Sequence, residues 1–443
     1  MIMKRLLSLL LVTLLCSTSA HAILKIEITE GIEEAEPIAI VPFLFENAGG
    51  VKPKENVSQI ISADLYRSGY FKPMAEKDML EKPTDTTQIR YQNWRMMDIP
   101  YLVIGKVIAQ ANGDYVVEFR LFDVFRAKQM TGFRMPPVKE RQLRMTAHQA
   151  ADVIYEAITG EKGAFATRLA YVQKLPASFK GARYRLFIAD SDTENEVPVL
   201  ASKSPIFSPT WSPDNSRLAY AVARGTGQSI YVFDLDKRRY ERLTRSADKF
   251  SAPAWSPDGK QMAMVKLANG GSDIFVMDLE TKRMRQITRH WSIDTEPTWS
   301  PDGKSLVFTS DRSGGRPQLY RYDFSTEDVK RLTFEGKQNL RASFSPDGRM
   351  VTFVHLSDDG NHNVAVYDLE KGRTEVLTRV SQGETWHESP SFAPNGRMII
   401  YSAIWKKKTV LAVVSRDGRI HQRLSAPPGD VEVYEPAWSS FLN

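Results

Sequence analysis

The second half of the chain repeats one pattern of apolar and polar positions. Each copy opens with an aromatic residue and a polar turn, followed by two apolar runs of strand length, a charged turn and a Leu-Thr or Ile-Thr pair. The copies begin, at intervals of 44 to 48 residues, at Trp211, Trp255, Trp299, Phe344, Phe392 and Trp438. A period of this length with four short strands per copy indicates a propeller or a solenoid.

The turn in this repeat, Ser-Pro-Asp-Gly in its fullest form, has a structural explanation. Proline presets φ for a tight turn, aspartate hydrogen-bonds the backbone that follows, and glycine takes the position with positive φ. The aromatic residue before the turn can fill the space between neighbouring sheets. We therefore assign these residues a structural role and no function.

The last copy is truncated after Trp438, so its missing strands must come from elsewhere. Three strand-like runs lie upstream of the first copy, at Arg168–Gln173, Tyr184–Asp190 and Val197–Leu200. Joined to the C-terminal strand they complete a sixth sheet and close the ring, which removes open sheet edges. The pattern predicts a six-bladed β-propeller over residues 165–443. An open solenoid is the alternative, but it would not explain why a partial repeat at each end adds up to a whole.

Residues 23–162 show a different pattern, in which strands and helices are mixed. A buried strand is predicted at Pro37–Phe43, a helix at Asn56–Ser68, a hairpin around Asn112-Gly113, and a second helix at Lys139–Ile158. These elements indicate a small α/β domain with a mixed sheet. The predicted fold class is mainly β, a six-bladed β-propeller preceded by this domain.

The first 22 residues have the pattern of a secretory signal peptide. Lys4 and Arg5 precede an apolar run from Leu6 to Leu15, and Ala20-His21-Ala22 supplies the small residues of a cleavage site. The apolar run is too short to span a bilayer. A lipoprotein signal would need a small residue before Cys16, where Leu15 stands. We expect cleavage before Ile23 and a location in the periplasm or outside the cell.

The composition is that of a globular protein, with 443 residues, 42% hydrophobic and 25% charged. The net charge of +6 is small and scattered, so no nucleic-acid partner is expected. The one cysteine lies in the predicted signal peptide, and the mature chain therefore has no thiol for a disulfide or for nucleophilic catalysis.

None of the catalytic motifs that we considered has all of its required residues in this sequence. Asp302-Gly-Lys-Ser ends like a phosphate-binding loop, but Thr298 stands where that loop requires glycine. The sequence has no Gly-x-Ser-x-Gly and no His-Glu-x-x-His, and its histidines show no metal-ligand spacing. We read His355, His362 and His387 as surface or hydrogen-bonded residues. No catalytic residue, metal ligand or cofactor is predicted.

The loops just ahead of the repeated aromatic residues surround one mouth of the predicted channel. Glu296, Glu388 and Glu435 occupy related places in three of them, which predicts a partial acidic ring flanked by His387 and Tyr434. Repeat folds commonly place recognition on such a face. Solvated rim charges, a protein-docking surface and a site for a cation or small ligand all remain open at this point.

Longer strings carry a resemblance to a known family. Ile158-Thr-Gly-Glu-Lys-Gly-Ala-Phe-Ala-Thr-Arg-Leu-Ala-Tyr-Val lies at the domain junction, and Asp294-Thr-Glu-Pro-Thr-Trp, Thr309-Ser-Asp-Arg-Ser-Gly-Gly-Arg-Pro-Gln-Leu-Tyr and Glu435-Pro-Ala-Trp-Ser lie in the repeats. With the signal peptide, the α/β domain and the propeller, the chain resembles the TolB family, periplasmic components of the Tol-Pal system.

The resemblance implies a non-enzymatic coupling protein. Such proteins dock the lipoprotein Pal over the channel mouth and reach TolA through their N-terminus, supporting outer-membrane integrity and envelope constriction during cell division. By position, Ala252, Thr295 and Glu296 match Pal-facing loops of the family, and Glu388 and Pro390 match a later one. Lys249 stands where the family commonly has histidine. With the other mouth residues, the predicted docking set is Lys249, Ala252, Thr295, Glu296, Arg341, His387, Glu388, Tyr434 and Glu435.

The same resemblance makes the mature N-terminus a switchable strand. It comprises Ile23, Leu24, Lys25, Ile26, Glu27 and Ile28, and its alternation suits pairing with its own domain or with a partner's sheet edge. Association with a membrane is expected only through the partners. The alternatives are a propeller enzyme, either a channel lyase or a hydrolase-associated propeller, and a glycan-binding propeller. A hydrolase needs a Ser-His-Asp set, a lyase a histidine-rich metal centre, and a glycan site exposed aromatics, for which only Trp386 and Tyr434 qualify.

Overall fold

A computed structural model of the chain describes residues 27–30 and 35–442, except 226, 269, 380–383, 426 and 428. The predicted signal peptide lies outside these residues. The described chain begins with a short strand, β1 (Glu27–Glu30), which belongs to the sheet of a propeller blade rather than to the leading domain.

The leading domain is built on one mixed sheet. Its strands run in the order β4-β2-β5-β6-β7, with β3 also paired to β5 and β8 to β6. Pairs among β2 to β5 are parallel, and β6 pairs antiparallel with β5, β7 and β8. The strands are β2 (Glu36–Ile40), β3 (Leu44–Ala48), β4 (Phe71–Pro73), β5 (Tyr101–Gln110), β6 (Asp114–Asp123), β7 (Lys128–Arg134) and β8 (Val138–Lys139).

Helices cover both faces of this sheet. Helices α1 (Val57–Arg67) and α3 (Leu143–Thr159) bury apolar faces on one side, and α2 (Tyr91–Met96) packs Trp94 on the other. Short 3-10 turns lie at Glu76–Asp78, Thr86–Gln88, Glu140–Gln142 and, in the propeller, Ser246–Asp248.

The first predicted helix is confirmed, and the second is shorter than predicted. The Asn56 side chain accepts a hydrogen bond from the Gln59 N–H and so caps α1. Helix α3 begins at Leu143 instead of Lys139, because Lys139 pairs with β6 and a 3-10 turn follows it. The sequence did not predict α2, whose six residues are too few to show a helical period.

Five consecutive blades follow the repeat. In each blade the innermost strand leads through the Ser-Pro-Asp-Gly turn, or its equivalent, to the next strand outward. Their strands are β12 (Ile206–Trp211), β13 (Arg217–Arg224), β14 (Gly227–Asp234) and β15 (Arg239–Arg242) in blade 1; β16 (Phe250–Trp255), β17 (Gln261–Ala268), β18 (Gly271–Asp278) and β19 (Met284–Gln286) in blade 2; β20 (Asp294–Trp299), β21 (Ser305–Ser310), β22 (Gln318–Asp323) and β23 (Val329–Arg331) in blade 3; β24 (Gln338–Phe344), β25 (Met350–Leu356), β26 (His362–Asp368) and β27 (Arg373–Val376) in blade 4; and β28 (Glu384–Phe392), β29 (Met398–Trp405), β30 (Lys408–Ser415) and β31 (His421–Ser425) in blade 5.

Blade 6 joins the two ends of the propeller. It consists of β32 (Glu432–Trp438), β9 (Arg168–Lys174), β10 (Tyr184–Asp190) and β11 (Val197–Ser202), from the channel outward. Within it, Trp438 pairs with Leu169 and Ala437 with Ala170. The predicted six-bladed ring, closed by one C-terminal and three upstream strands, is confirmed, and an open solenoid is excluded.

The repeated aromatic residues link neighbouring blades, as the sequence indicated. The Trp255 indole N–H donates to the Thr210 carbonyl of blade 1 (3.2 Å), and the Trp299 indole donates to the Ala254 carbonyl of blade 2 (3.2 Å). Both side chains are buried. Each tryptophan therefore fills the space between two blades and also satisfies a backbone carbonyl there.

The leading domain packs against the propeller face that carries the Ser-Pro-Asp-Gly turns, which we call the bottom face. Gly69 lies against Ile420, and the Asn395 amide of a blade 5 turn donates to the Lys162 carbonyl (3.1 Å). The Asp152 carboxylate accepts the backbone N–H groups of Phe165 and Ala166 (2.7 and 3.0 Å), which fixes the connection between the domains. These contacts lie at blades 5 and 6.

Candidate functional site at the top face

The opposite face, where the innermost strands begin, is here called the top face. It is formed by the loops that lead from the outermost strand of one blade to the innermost strand of the next, together with the turns between the two middle strands. The leading domain packs against the bottom face, so its contacts described above do not cover the top face.

Every innermost strand carries a β-bulge, seen as a register shift against the next strand outward. One non-glycine residue at each bulge has a left-handed φ of 45° to 58°, and in five of the six blades proline follows it. These six residues, which we call the bulge ring, are Ser208, Ala252, Glu296, Arg341, Ser389 and Glu435. Bulges re-aim side chains, and strained residues cluster at functional sites.

Arg341 connects the bulge ring across the channel. Its Nη1 lies 2.8 Å from Glu435 Oε1 and donates to Ser389 Oγ (2.7 Å), and its Nε lies 3.2 Å from Glu296 Oε1. The second carboxylate oxygen of Glu435 accepts the Ser208 N–H (2.9 Å). One guanidinium thus ties blades 3, 4, 5 and 6 together, and Glu435 extends the network to blade 1.

The charges in this network shift the pKa values of its members. The Glu435 carboxylate raises the pKa of Arg341 above its ordinary value, although burial opposes this. Burial raises the pKa of Glu296, against the lowering effects of Arg341 and of the Thr309 hydroxyl, which donates to it at 3.0 Å. With two carboxylates and one guanidinium, the layer carries a net charge of about −1 when all three groups are ionised.

A cavity of about 670 Å³ runs from the bulge ring toward the bottom face. Prolines that follow the ring residues line its wall, and Ser439, Ser440 and Phe441, just after the last strand, line its lower part. The ring therefore forms the top end of this cavity. The arrangement offers hydrogen-bond donors, acceptors and opposite charges in fixed positions, which suits recognition.

The structure brings most of the predicted docking residues to this face. Lys249 is exposed in the loop before blade 2, and Thr295 and Tyr434 flank ring residues and are half-buried. His387 is different, because its side chain is fully buried and its Nδ1 lies 2.8 Å from the Thr378 hydroxyl. The prediction that His387 lies at the rim is therefore wrong, since its side chain points into the interior of blade 5.

The predicted acidic ring also needs correction. Glu296 and Glu435 lie in the bulge ring, but Ser389 takes that place in blade 5 and Glu388 lies outside the ring, beside Trp386. The sequence held a signal for blade 5: in five of the six blades the ring residue directly precedes a proline, and in blade 5 that residue is Ser389. The ring is also not purely acidic, because Arg341 lies between the two carboxylates.

Exposed aromatic residues surround the ring, and sequence reasoning passed over two of them. Trp291 and Phe334 lie in the loops before blades 3 and 4 with 75% and 70% of their surface exposed, and Trp386 in blade 5 is 47% exposed. Aromatic residues are enriched at protein interfaces relative to the rest of the surface. Their position a few residues ahead of the innermost strand was the available signal.

The described part of the predicted N-terminal switch forms β1. This strand pairs antiparallel with β31, the outermost strand of blade 5, and not with the leading domain. The register places Glu27 opposite Arg423 and Glu30 opposite His421. Ile23, Leu24, Lys25 and Ile26 lie outside the described residues.

A second polar cluster is buried where the two domains meet. Asp64 Oδ2 lies 2.6 Å from His148 Nδ1, and Asp192, from a blade 6 turn, lies 3.5 Å from His148 Nε2. Arg67 bonds Asp64 (2.6 Å) and Arg144 bonds Asp192 (2.5 Å). Sequence reasoning missed this cluster, since it joins side chains of α1 and α3 that are far apart in the chain and adds Asp192 from the propeller.

The two carboxylates of this cluster are already paired with arginine side chains. Burial would lower the pKa of His148, but Asp64 and Asp192 outweigh burial and raise it. Burial would raise the pKa of Asp192, but Arg67, His148 and Arg144 hold it at about 2. Among the described residues only Asp64, His148 and Asp192 form a group with the spacing of metal ligands. Because the two arginines neutralise the carboxylates, this group suits an ionic contact between domains better than a metal.

None of the helices in the described part of the chain is long and apolar enough to cross a lipid bilayer.

Comparison with known proteins gives one consistent answer. The family model described as "TolB beta propeller domain" matches residues 155–442, and "TolB amino-terminal domain" matches residues 24–130. The chain is 51% identical over 430 residues to the Tol-Pal system protein TolB of Nitrosococcus oceani, covering 97% of this chain and 96% of that protein. It is 49% identical over 441 residues to the TolB protein of Thioalkalivibrio sulfidiphilus, covering 99% of each. The crystal structure of TolB from Acinetobacter baumannii superimposes with a TM-score of 0.84 at 37% identity, covering 94% of this chain and all of that one.

Proposed function

Because the chain belongs to the TolB family of Tol-Pal system proteins, we propose that it is a non-enzymatic periplasmic protein whose top face docks the lipoprotein Pal. The observation that carries this proposal is the bulge ring with its surrounding aromatics. Its polar groups are held in place by one another, and the leading domain packs elsewhere. A preordered face loses little conformational entropy when it binds.

The composition of the top face matches that of protein interfaces. Tryptophan, tyrosine and arginine dominate interface energetics, and here Trp291, Trp386, Tyr434 and Arg341 occur on one face. Thr295, Glu296, Ala252 and Lys249 add smaller polar contacts around them. In this proposal Glu388 contributes through the pocket it shares with Trp386, and His387 contributes only by supporting the blade 5 bulge.

We propose that the N-terminal segment Ile23–Ile28 carries the contact to TolA by strand pairing. The strand Glu27–Glu30, which includes the last two residues of this segment, lies at the outer edge of blade 5 and is only four residues long. A strand this short at an edge has few hydrogen bonds to break, so transfer to the sheet edge of a partner needs only a small difference in free energy. Exchange between Pal and TolA would support outer-membrane integrity and constriction at division.

The sequence pattern and the family membership also support a proposal for the organisation of the precursor. Residues 1–22 form the signal peptide, 23–162 the leading domain together with the N-terminal strand that pairs with blade 5, and 165–443 the propeller. The mature protein has no cofactor and associates with membranes only through its partners. A propeller enzyme remains the second candidate class. The docking experiment below separates the two classes.

The docking proposal can be tested by isothermal titration of the mature protein with the soluble domain of Pal. We expect the Trp291→Ala variant to bind at least tenfold more weakly than the wild type. Tyr240→Ala is the matched control, because Tyr240 is also a largely exposed aromatic residue but lies on β15 at the outside of blade 1. Absence of Pal binding together with turnover of a sugar polymer or a peptide would favour the enzyme instead.

The switch proposal has its own test. Deletion of Ile23–Gly31 should abolish TolA binding and change Pal affinity, and unchanged affinity for both partners would refute the switch. Arg423→Glu should release β1, raising hydrogen exchange at 27–30 and strengthening TolA binding, because two glutamates would then occupy opposed positions of the strand register. Arg419→Glu, an exposed turn residue of the same blade, is the control that should change neither.

A further inference from the structure

A pocket of about 330 Å³ opens on the top face between blades 5 and 6, beside the bulge ring. Trp386 and Glu388 of β28 form one wall, and Lys174, Glu432 and Tyr434 of blade 6 form the other. The floor is made by residues of β29 and β30, among them Ala403 and Ile404. We call this the interblade pocket.

Trp386 reaches the pocket through a distortion that the other blades lack. Strand β28 has two register shifts, one at the ring residue and one between Thr385 and His387, whereas each other innermost strand has a single shift. Trp386 lies at the additional bulge with φ of +62°. A bulky side chain in the left-handed region is strained, and such strain persists where a function retains it.

The indole of Trp386 is held in position from two sides. One face stacks on His362 of blade 4, with ring centroids 3.7 Å apart and an angle of 18° between the planes. Burial lowers the pKa of His362, which favours the neutral ring in this stack. The indole N–H donates to the Glu388 carboxylate. The ring is therefore a fixed platform, and little conformational entropy remains to be lost when something binds to it.

The charges in the pocket are unevenly compensated. The Lys174 ammonium lies 2.9 Å from both carboxylate oxygens of Glu432, so these two groups neutralise each other. Glu388 takes part in none of the ion pairs formed among the described residues, and its carboxylate accepts the hydrogen bond of the neutral indole. The field of Glu388 also acts on Arg341 in the ring and on His362. The pocket therefore carries one carboxylate beside an aromatic ring.

We propose that the interblade pocket receives a guanidinium group, that of an arginine side chain of the docked protein; this rests on the docking function proposed above. A guanidinium can stack on the indole and at the same time form a bidentate contact with the Glu388 carboxylate. A sugar would need a second open platform, but the Tyr434 ring is half-buried and its hydroxyl is directed toward the Ile206 carbonyl, 3.5 Å away.

The test uses the full mature protein labelled with 5-fluorotryptophan, with the Trp386 fluorine resonance assigned from a Trp386→Phe variant. The probe is Nα-acetyl-L-arginine N-methylamide, and the corresponding citrulline derivative is its uncharged control. We expect a saturable shift of the Trp386 resonance at millimolar arginine probe and none with citrulline. Glu388→Gln should weaken the binding at least fivefold, whereas Glu241→Gln, an exposed carboxylate of blade 1, should not.

A second measurement separates this inference from the docking proposal. If an arginine of the partner occupies the pocket, Glu388→Gln should weaken binding of the soluble Pal domain at least tenfold, and the arginine probe should compete. An unshifted Trp386 resonance would overturn the pocket as a guanidinium site. Equal Pal affinity of wild type and Glu388→Gln would overturn the partner arginine while docking stands, and failure of Pal to bind at all, with the probe still binding, would overturn docking alone.

Discussion

The Arg341 guanidinium and the Glu435 carboxylate meet 2.8 Å apart across the channel, although they come from the innermost strands of blades 4 and 6. The Arg341 and Glu435 side chains are only 30% and 11% exposed. An ion pair this enclosed loses much when one partner is removed, because the remaining charge keeps its desolvation cost.

We expect Arg341→Met to lower the free energy of unfolding by about 2 to 3 kcal/mol, somewhat below the range for a fully buried pair. Urea denaturation of the mature protein measures this. Arg341→Met leaves the carboxylates of Glu296 and Glu435 without their cation. Adding Glu435→Gln should therefore recover part of the lost free energy of unfolding, since one of these two groups is then neutral. A loss below about 0.5 kcal/mol would mean that solvent screens the layer as it screens a surface ion pair.

The His148 cluster predicts a pH dependence of stability. The folded-state pKa of His148 is raised above its ordinary value of 6.5, so its contribution is fully present below pH 6.5 and is lost as pH rises through the raised value. The free energy of unfolding of the wild type relative to His148→Gln should therefore fall between pH 6.5 and pH 9.

That window lies above the pKa values of two carboxylates near His148, although Asp152 completes its ionisation in the lower part of it, in wild type and variant alike. Asp192 has a pKa of about 2, and burial raises the pKa of Asp152 only to about 6. Arg67 and Arg144 stay charged throughout. A constant difference between wild type and His148→Gln from pH 6.5 to 9 would show that His148 is neutral in the folded protein.

Two helix-ending glycines provide a matched pair for the domain contact. Gly69 and Gly160 have φ of +68° and +74°, so alanine costs about 1 to 2 kcal/mol at either position through the backbone. A Cβ at Gly69 would also lie 2.0 Å from Ile420 Cδ1, within blade 5, whereas one at Gly160 would meet nothing within 4 Å.

Gly69→Ala should therefore destabilise the protein by about 1 to 3 kcal/mol more than Gly160→Ala, because Ile420 is buried and must shift. Calorimetric unfolding of the two variants measures the difference. Equal losses would indicate that the leading domain moves away from blade 5 without cost.

The sequence predicted the propeller because its period is long and its turns are chemically explicit. The partial repeats at Trp438 and before Ser202 even predicted which strands close the ring. Helix α2 was missed because Tyr91–Met96 is too short for a hydrophobic period, and the start of α3 was misplaced because local pairing at Lys139 overrides the helical pattern.

The site was harder to predict than the fold, since a bulge displaces side chains by one position from the alternation expected of a regular strand. That displacement moved Glu388 out of the ring and put Ser389 into it, and it buried His387. The His148 cluster and the pocket around Trp386 depend on contacts between distant segments. Such contacts follow from packing and cannot be counted along a sequence.

The most direct test of top-face docking compares two arginine substitutions in the same blade. Ala252 belongs to the bulge ring at the top, and Asp258 is exposed in the turn at the bottom. Titration calorimetry with the soluble Pal domain should show binding weakened at least a hundredfold by Ala252→Arg and changed less than twofold by Asp258→Arg. Equal affinity of Ala252→Arg and the wild type, or a loss confined to Asp258→Arg, would contradict docking at the top face.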